Sequence, residues 1–199
     1  MGGSKFCNGT VNSIKAHQRQ LNNQTTIIRP EQDVQISFSE KEAIWTTDPH
    51  DDALVITIDV SNCEVARVLI DGGSSVDLIF KDTLARMGVS EDEIEKEQTH
   101  LTGFNESTTP SLGTIRLPVK TSGINKIVEF QVLDCLSPYN IILGRPWIHR
   151  MRAVPLTFHQ CIRFPTPEGI KEIRGNQATS RSCYITSHKH CTKAIKEEQ

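Results

Sequence analysis

Two runs constrain this chain most: 54–60, Leu-Val-Ile-Thr-Ile-Asp-Val, and 65–70, Val-Ala-Arg-Val-Leu-Ile, separated by the turn-forming pair Ser61-Asn62. Both are rich in β-branched residues, and the second ends in an apolar triplet, the pattern of strands that meet a core on both faces. Similar signals recur downstream. Residues 114–119 alternate, Ser122-Gly123 turns the chain, and 126–133 alternate again. Leu156, Phe158, Ile162 and Phe164 then fall on one face, with Thr157, His159, Cys161 and Arg163 on the other. Pro165, Pro167 and Gly169 turn that segment back into 170–173, predicting a hairpin. Helical signals are short: 82–87 stopped by Gly88, 90–96 opened by the capping-box pair Ser90 and Glu93, and a turn begun at Pro146. The chain reads as mainly β with minor helix.

Composition narrows the possible functions. Of 199 residues, 22 are Lys or Arg and 24 Asp or Glu, for a net charge of −2. That balance lacks the basic excess of a bulk nucleic-acid binder, so no nucleic acid is expected as a partner of this domain. The apolar runs are far below the ~18–20 residues that span a bilayer, and no membrane role is expected. The start, Met1-Gly2-Gly3-Ser4-Lys5-Phe6-Cys7, has no apolar secretory core. Six cysteines, at 7, 63, 135, 161, 183 and 191, form no tight framework, so reduced thiols and a cytoplasmic setting are expected. Asn, Gln, Ser and Thr dominate both ends. The expected organisation is a polar linker or tail over 1–42, a folded domain over 43–175 and a polar C-terminal tail over 176–199.

The chemistry concentrates in two places. In Val68-Leu69-Ile70-Asp71-Gly72-Gly73-Ser74-Ser75 a carboxylate leaves an apolar strand directly onto a turn of two glycines and two hydroxyl residues. An enzyme would present a carboxylate this way, and an ordinary Asp-Gly hairpin turn would look the same. In Tyr139-Asn140-Ile141-Ile142-Leu143-Gly144-Arg145-Pro146-Trp147-Ile148 a short apolar strand runs through a glycine into a Pro-started helical turn. Asp59, Asp77 and Asp134 also lie near apolar strands but lack a following glycine. Cys183, His188, His190 and Cys191 have metal-ligand chemistry in an order unlike a zinc finger or zinc knuckle, so no metal is expected. His149 and His159 suit surface roles. Trp45 and Trp147 are expected as core anchors.

Taken in order, these motifs resemble the retropepsins, the aspartic proteases of retroviruses and long-terminal-repeat retrotransposons. The likeness rests on Leu69-Ile70-Asp71-Gly72-Gly73-Ser74 and on Ile142-Leu143-Gly144-Arg145. It is strongest to the protease region of plant Ty3/Gypsy Gag-Pol polyproteins. There the similar stretches include Pro49-His50-Asp51-Asp52-Ala53-Leu54-Val55-Ile56, Gly144-Arg145-Pro146-Trp147 and His159-Gln160-Cys161-Ile162-Arg163-Phe164-Pro165, and the resemblance spans 38–184.

The resemblance implies a closed, acid-protease β-barrel with short helices, one lobe per chain, and an aspartic endopeptidase that needs no cofactor. Asp71 would be the catalytic residue, on an active-site loop completed by Gly72, Gly73, Ser74 and Ser75. Gly103, Phe104 and Asn105 would belong to a flap over the substrate, and Leu143, Gly144 and Arg145 would support the loop. With one Asp-Gly turn per chain, the active form would be a homodimer acting on a polypeptide, the polyprotein itself, in the cytoplasm or within virus-like particles. The family usually has Thr or Ser after the Asp, whose hydroxyl bonds across the dimer. Gly72 cannot do this, which leaves a second expectation open: a non-hydrolytic fold acting as a dimerisation or peptide-binding module.

Overall fold

The computed structural model describes residues 35–97, 99–103 and 108–197. Phe104 and Asn105, expected at the flap, lie outside the described residues. The expected hairpins form. Strands β1 (Val55–Val60) and β2 (Cys63–Ile70) are antiparallel, and Ser61 and Asn62 join them with φ of 50° and 64°, the left-handed geometry that matches strand twist. β6 (Gly113–Thr121) and β7 (Ile124–Leu133) pair over their full length. Two short strands, β3 (Leu78–Phe80) and β8 (Ile141–Leu143), complete a closed barrel of order β1-β2-β8-β3-β7-β6. The barrel closes where Asp59 and Val60 pair with Lys120 and Val119. Inside it pack Ile56, Val68, Ile79, Leu117, Phe130, Ile141 and Leu143, each less than 2% exposed.

One detail of the topology positions the site. β8 runs parallel to β2 and antiparallel to β3, and lies between them. The chain from β2 to β3, residues 71–77, must therefore arch over the end of β8. Two of the predicted helices appear as α1 (Lys81–Arg86) and α2 (Arg145–Met151), whereas the one expected over 90–96 shortens to a 3-10 turn at Glu91–Glu93 with its Ser90/Glu93 capping box, because Glu95 pairs with Thr114. Between the last two lies a small antiparallel pair, β4 (His100–Thr102) and β5 (Thr108–Pro110).

A second sheet, in the order β11-β10-β9, is built from β9 (Val154–Leu156), β10 (Cys161–Thr166) and β11 (Gly169–Arg174). Its Ile162 and Phe164 join one buried cluster with Leu54 and Ile56 at the start of the β1 run. Three expectations need correction here. Residues 157–160 form a turn closed by Gln160 N donating to Thr157 O, so the strand alternation breaks and Phe158 is 52% exposed. Trp45 is no core anchor: it ends the 3-10 helix Glu40–Trp45, is 67% exposed and carries the Arg174 guanidinium over its ring, while Ala43 is the residue buried. The segment expected as a polar tail carries helix α3 (Gln177–Glu197). Asn176 caps it by accepting the Thr179 amide at 3.0 Å, Ser180 and Cys183 are buried, and Arg181 pairs with Asp52 at 2.9 Å. The Arg181 guanidinium holds the Asp52 carboxyl below its usual range. Small and polar residues make this contact, so no apolar stripe announced it. Among the described residues no helix is long and apolar enough to cross a membrane.

Candidate active site

Asp71 is the first residue past β2, and its amide donates to Leu143 O at 2.9 Å, the last rung of the β2–β8 ladder. From there the chain turns back on itself. Gly73 N donates to Asp71 Oδ1 at 2.8 Å, and Ser74 N donates to Asp71 O at 3.2 Å. This is an Asx-type turn in which the carboxylate orders its own loop. Among the described residues none hydrogen-bonds Oδ2. Asp71 is half-buried, with Gly72, Gly73 and Ser75 exposed beside it. Ser74 turns its hydroxyl to Val76 O at 2.7 Å rather than to the carboxylate.

The loop is held from beneath by the junction of β8 and α2. Gly144 passes so close that a Cβ there would lie 2.4 Å from Val76 O and 2.9 Å from Ser74 O. Arg145 N donates to Ser74 O at 3.0 Å, and its guanidinium donates to Gly73 O at 2.8 Å. These contacts tie Leu143, Gly144 and Arg145 to the Asp71 loop. Gly72 has open space where a Cβ would stand.

Asp77 carries a part that the missing glycine had hidden. It is 4% exposed, and its Oδ1 accepts the Gly144 amide at 2.7 Å. Burial pushes its carboxyl up to about 6, against the opposing pull of the Gly144 and Trp147 amides and the Arg150 charge. The strand phase could have located it, since Asp77 and Ile79 share one face of the alternation and Ile79 is fully buried. Asn140 was also missed. Its Oδ1 accepts from Arg67 at 3.0 Å and Arg86 at 2.9 Å, fixing the entry to β8 against β2 and α1.

The remaining candidates disperse. Gly103 is exposed at the end of β4. Cys183 is buried and donates to Pro138 O at 3.5 Å, and the side chains of His190 and Cys191 lie outside the described residues. His149 is exposed on α2, whereas His159 packs edge-on against Phe158 and bonds to Ser39 O.

The sequence matches no family model and no curated protein. Solved structures do match. The retroviral protease-like domain of Ddi1 from Leishmania major is 16% identical, with a TM-score of 0.51 over 64% of this chain and 96% of that one. The EIAV protease in complex with the inhibitor HBY-793 is 17% identical over 56% and 99%, with a TM-score of 0.45. A retropepsin-like aspartic protease from Rickettsia conorii is 18% identical over 61% and 81%, with a TM-score of 0.41. Barrel, arching loop and β8–α2 junction together give this chain the retropepsin-like fold.

Proposed function

We propose that the chain is one protomer of an aspartic endopeptidase whose reacting groups are two copies of Asp71 brought together by a homodimer. The observation that carries this reading is the Asp71 turn: a half-buried carboxylate with one oxygen fixed by the Gly73 amide, on a loop braced from below by Gly144 and Arg145. Asp77, the next acid along the chain, turns its carboxyl to the Gly144 amide, so the second carboxylate of a dyad is assigned to the partner chain.

Two carboxyls forced together share one proton, because both cannot ionise cheaply. The ionised Asp71 then takes a proton from water as the oxygen attacks the scissile carbonyl carbon. The protonated Asp71 of the other chain gives its proton to the carbonyl oxygen as the tetrahedral diol forms. On collapse the protonated carboxyl gives its proton to the departing nitrogen as the C–N bond breaks. One diol hydroxyl returns a proton to the ionised carboxyl as it becomes the product carbonyl, so the pair again shares one proton. The β4–β5 pair suits the role of the flap, with Gly103 following β4 and with Phe104 and Asn105 keeping the flap role the resemblance implies. The substrate class is an extended polypeptide. The motif set assigns it to a polyprotein of the plant Ty3/Gypsy type, processed in the cytoplasm or in virus-like particles. The second reading, a non-hydrolytic module, rests on Gly72, which offers no hydroxyl to bond across a dimer; the bonds that Gly73 and Arg145 make to the loop within the protomer support the hydrolytic reading instead.

Purified protein offered a polyprotein fragment at acidic pH should cleave it, and pepstatin should block the reaction. Asp71→Asn should lower the rate by at least about 10³-fold. Cleavage that persists in that variant overturns the mechanism.

A further inference from the structure

The mechanism leaves one buried titratable group unused. Asp77 sits six positions after Asp71 and is 4% exposed; its Oδ1 accepts the Gly144 amide at 2.7 Å, and the Trp147 amide also favours the ionised carboxyl. Those amides open the turn from which Arg145 reaches Ser74 O and Gly73 O. The main chain of Asp77 is also fixed, through Gln131 N donating to Asp77 O at 2.8 Å. Among the described residues the charged group that faces its carboxyl is Arg150 on α2. β7 brings Gln131, β8 brings Ile141, Ile142 and Leu143, Arg145 turns to the Gly72 and Gly73 carbonyls, and Asp71 turns to the Gly73 amide.

We propose that Asp77 is a positioning residue for Asp71: its carboxyl sets the Gly144–Trp147 turn, which holds the 71–76 loop, so gain or loss of a proton at Asp77 is transmitted to the Asp71 carboxylate. The proposal rests on the reading of Asp71 as the reacting group. When Asp77 is ionised, its Oδ1 accepts the Gly144 amide in a charge-assisted bond. Protonation removes that charge and weakens the bond. The turn that holds the loop loosens with it. Burial places the change at about 6, within the range where a carboxyl dyad works. Gly72 makes the device matter more, because it offers no side chain to order the loop from outside.

The test is an NMR pH titration of the full chain, following the Gly144 and Gly73 amides in wild type, Asp71→Asn and Asp77→Asn. The expected result is a shared transition with a midpoint near pH 6 that persists in Asp71→Asn and disappears in Asp77→Asn. Asparagine keeps an oxygen for the Gly144 amide, and intact near-ultraviolet dichroism checks the fold. If Asp77→Asn does not fold, the carboxyl ¹³C resonance of Asp77 in wild type replaces it. That resonance must share its midpoint with the Gly73 amide, and different midpoints overturn the proposal. So does a Gly73 transition that survives Asp77→Asn. With a peptide substrate, the pH profile of kcat should show an inflection near pH 6 that Asp77→Asn lacks. Absence of any cleavage with the titration intact would refute the protease reading alone, because the amide transition needs no turnover.

Discussion

Replacing Gly144 with alanine tests how tightly the Asp71 loop is built. The backbone there, at φ −92° and ψ −166°, suits alanine, so the effect is one of space alone. The new Cβ would stand 2.4 Å from Val76 O, 2.9 Å from Ser74 O and 3.1 Å from Ser74 Cβ, and two of these are main-chain atoms with no rotamer to yield. A normal carbon–oxygen contact needs close to another ångström, so β8 and the loop must separate. Overpacking of this kind costs about 1–3 kcal/mol. Separation also stretches Gly144 N to Asp77 Oδ1 and Arg145 N to Ser74 O, at about 0.5–3 kcal/mol each, more for the carboxylate. The total is about 2–9 kcal/mol. At ~2–4 °C per kcal/mol for a domain of this size, calorimetry should show Tm lowered by roughly 4–36 °C. Gly72→Ala is the matched control. Its Cβ would meet nothing within 4 Å, and stability should stay within about 0.5 kcal/mol of wild type. Equal losses at both positions, or none at Gly144, would refute the close-passage argument.

Two further outcomes follow. Asp77 rises from 3.8 to about 6 on folding, so its favourable contribution is complete below about pH 3.8 and is lost as pH climbs through 6. At about 1.4 kcal/mol per pH unit, urea denaturation should find wild type losing about 3 kcal/mol across that window relative to Asp77→Asn; parallel pH curves would contradict it. Arg163, with its side chain 14% exposed, joins Glu42 at 3.0 Å and Glu172 at 2.8 Å and stacks over Phe38. Arg163→Ala should cost about 1–3 kcal/mol, less than a fully buried pair, and should expose 37–46 to limited proteolysis; an unchanged digestion pattern would show that the strap is held elsewhere.

The long hairpins were legible because period-2 alternation and left-handed turn residues such as Ser61-Asn62 and Ser122-Gly123 report local chemistry. The Gly144 junction was legible because its glycine stands where backbones must meet, and the Asp71 turn because a carboxylate at a strand end runs straight into turn-forming glycines. What local patterns do not encode is which elements cover which. Trp45 looked like an anchor, yet its partner is the Arg174 guanidinium on a neighbouring strand. Helix α3 was hidden because Ser180 and Cys183, small and polar, make its contact. Asp77 was passed over because its role comes from Gly144, sixty-seven positions away, which only the threading of β8 between β2 and β3 brings near.

The most direct test of the central claim is subunit mixing. Wild-type protein at fixed concentration is equilibrated with an equal amount of Asp71→Asn chain, and cleavage of a peptide substrate is followed at acidic pH. If each site needs one Asp71 from each of two chains, random exchange leaves about a quarter of the dimers fully wild type, and the rate falls to about half its starting value. A rate unchanged by the inactive chain, after exchange has been verified, would mean that one chain carries a complete site, and the account would be wrong.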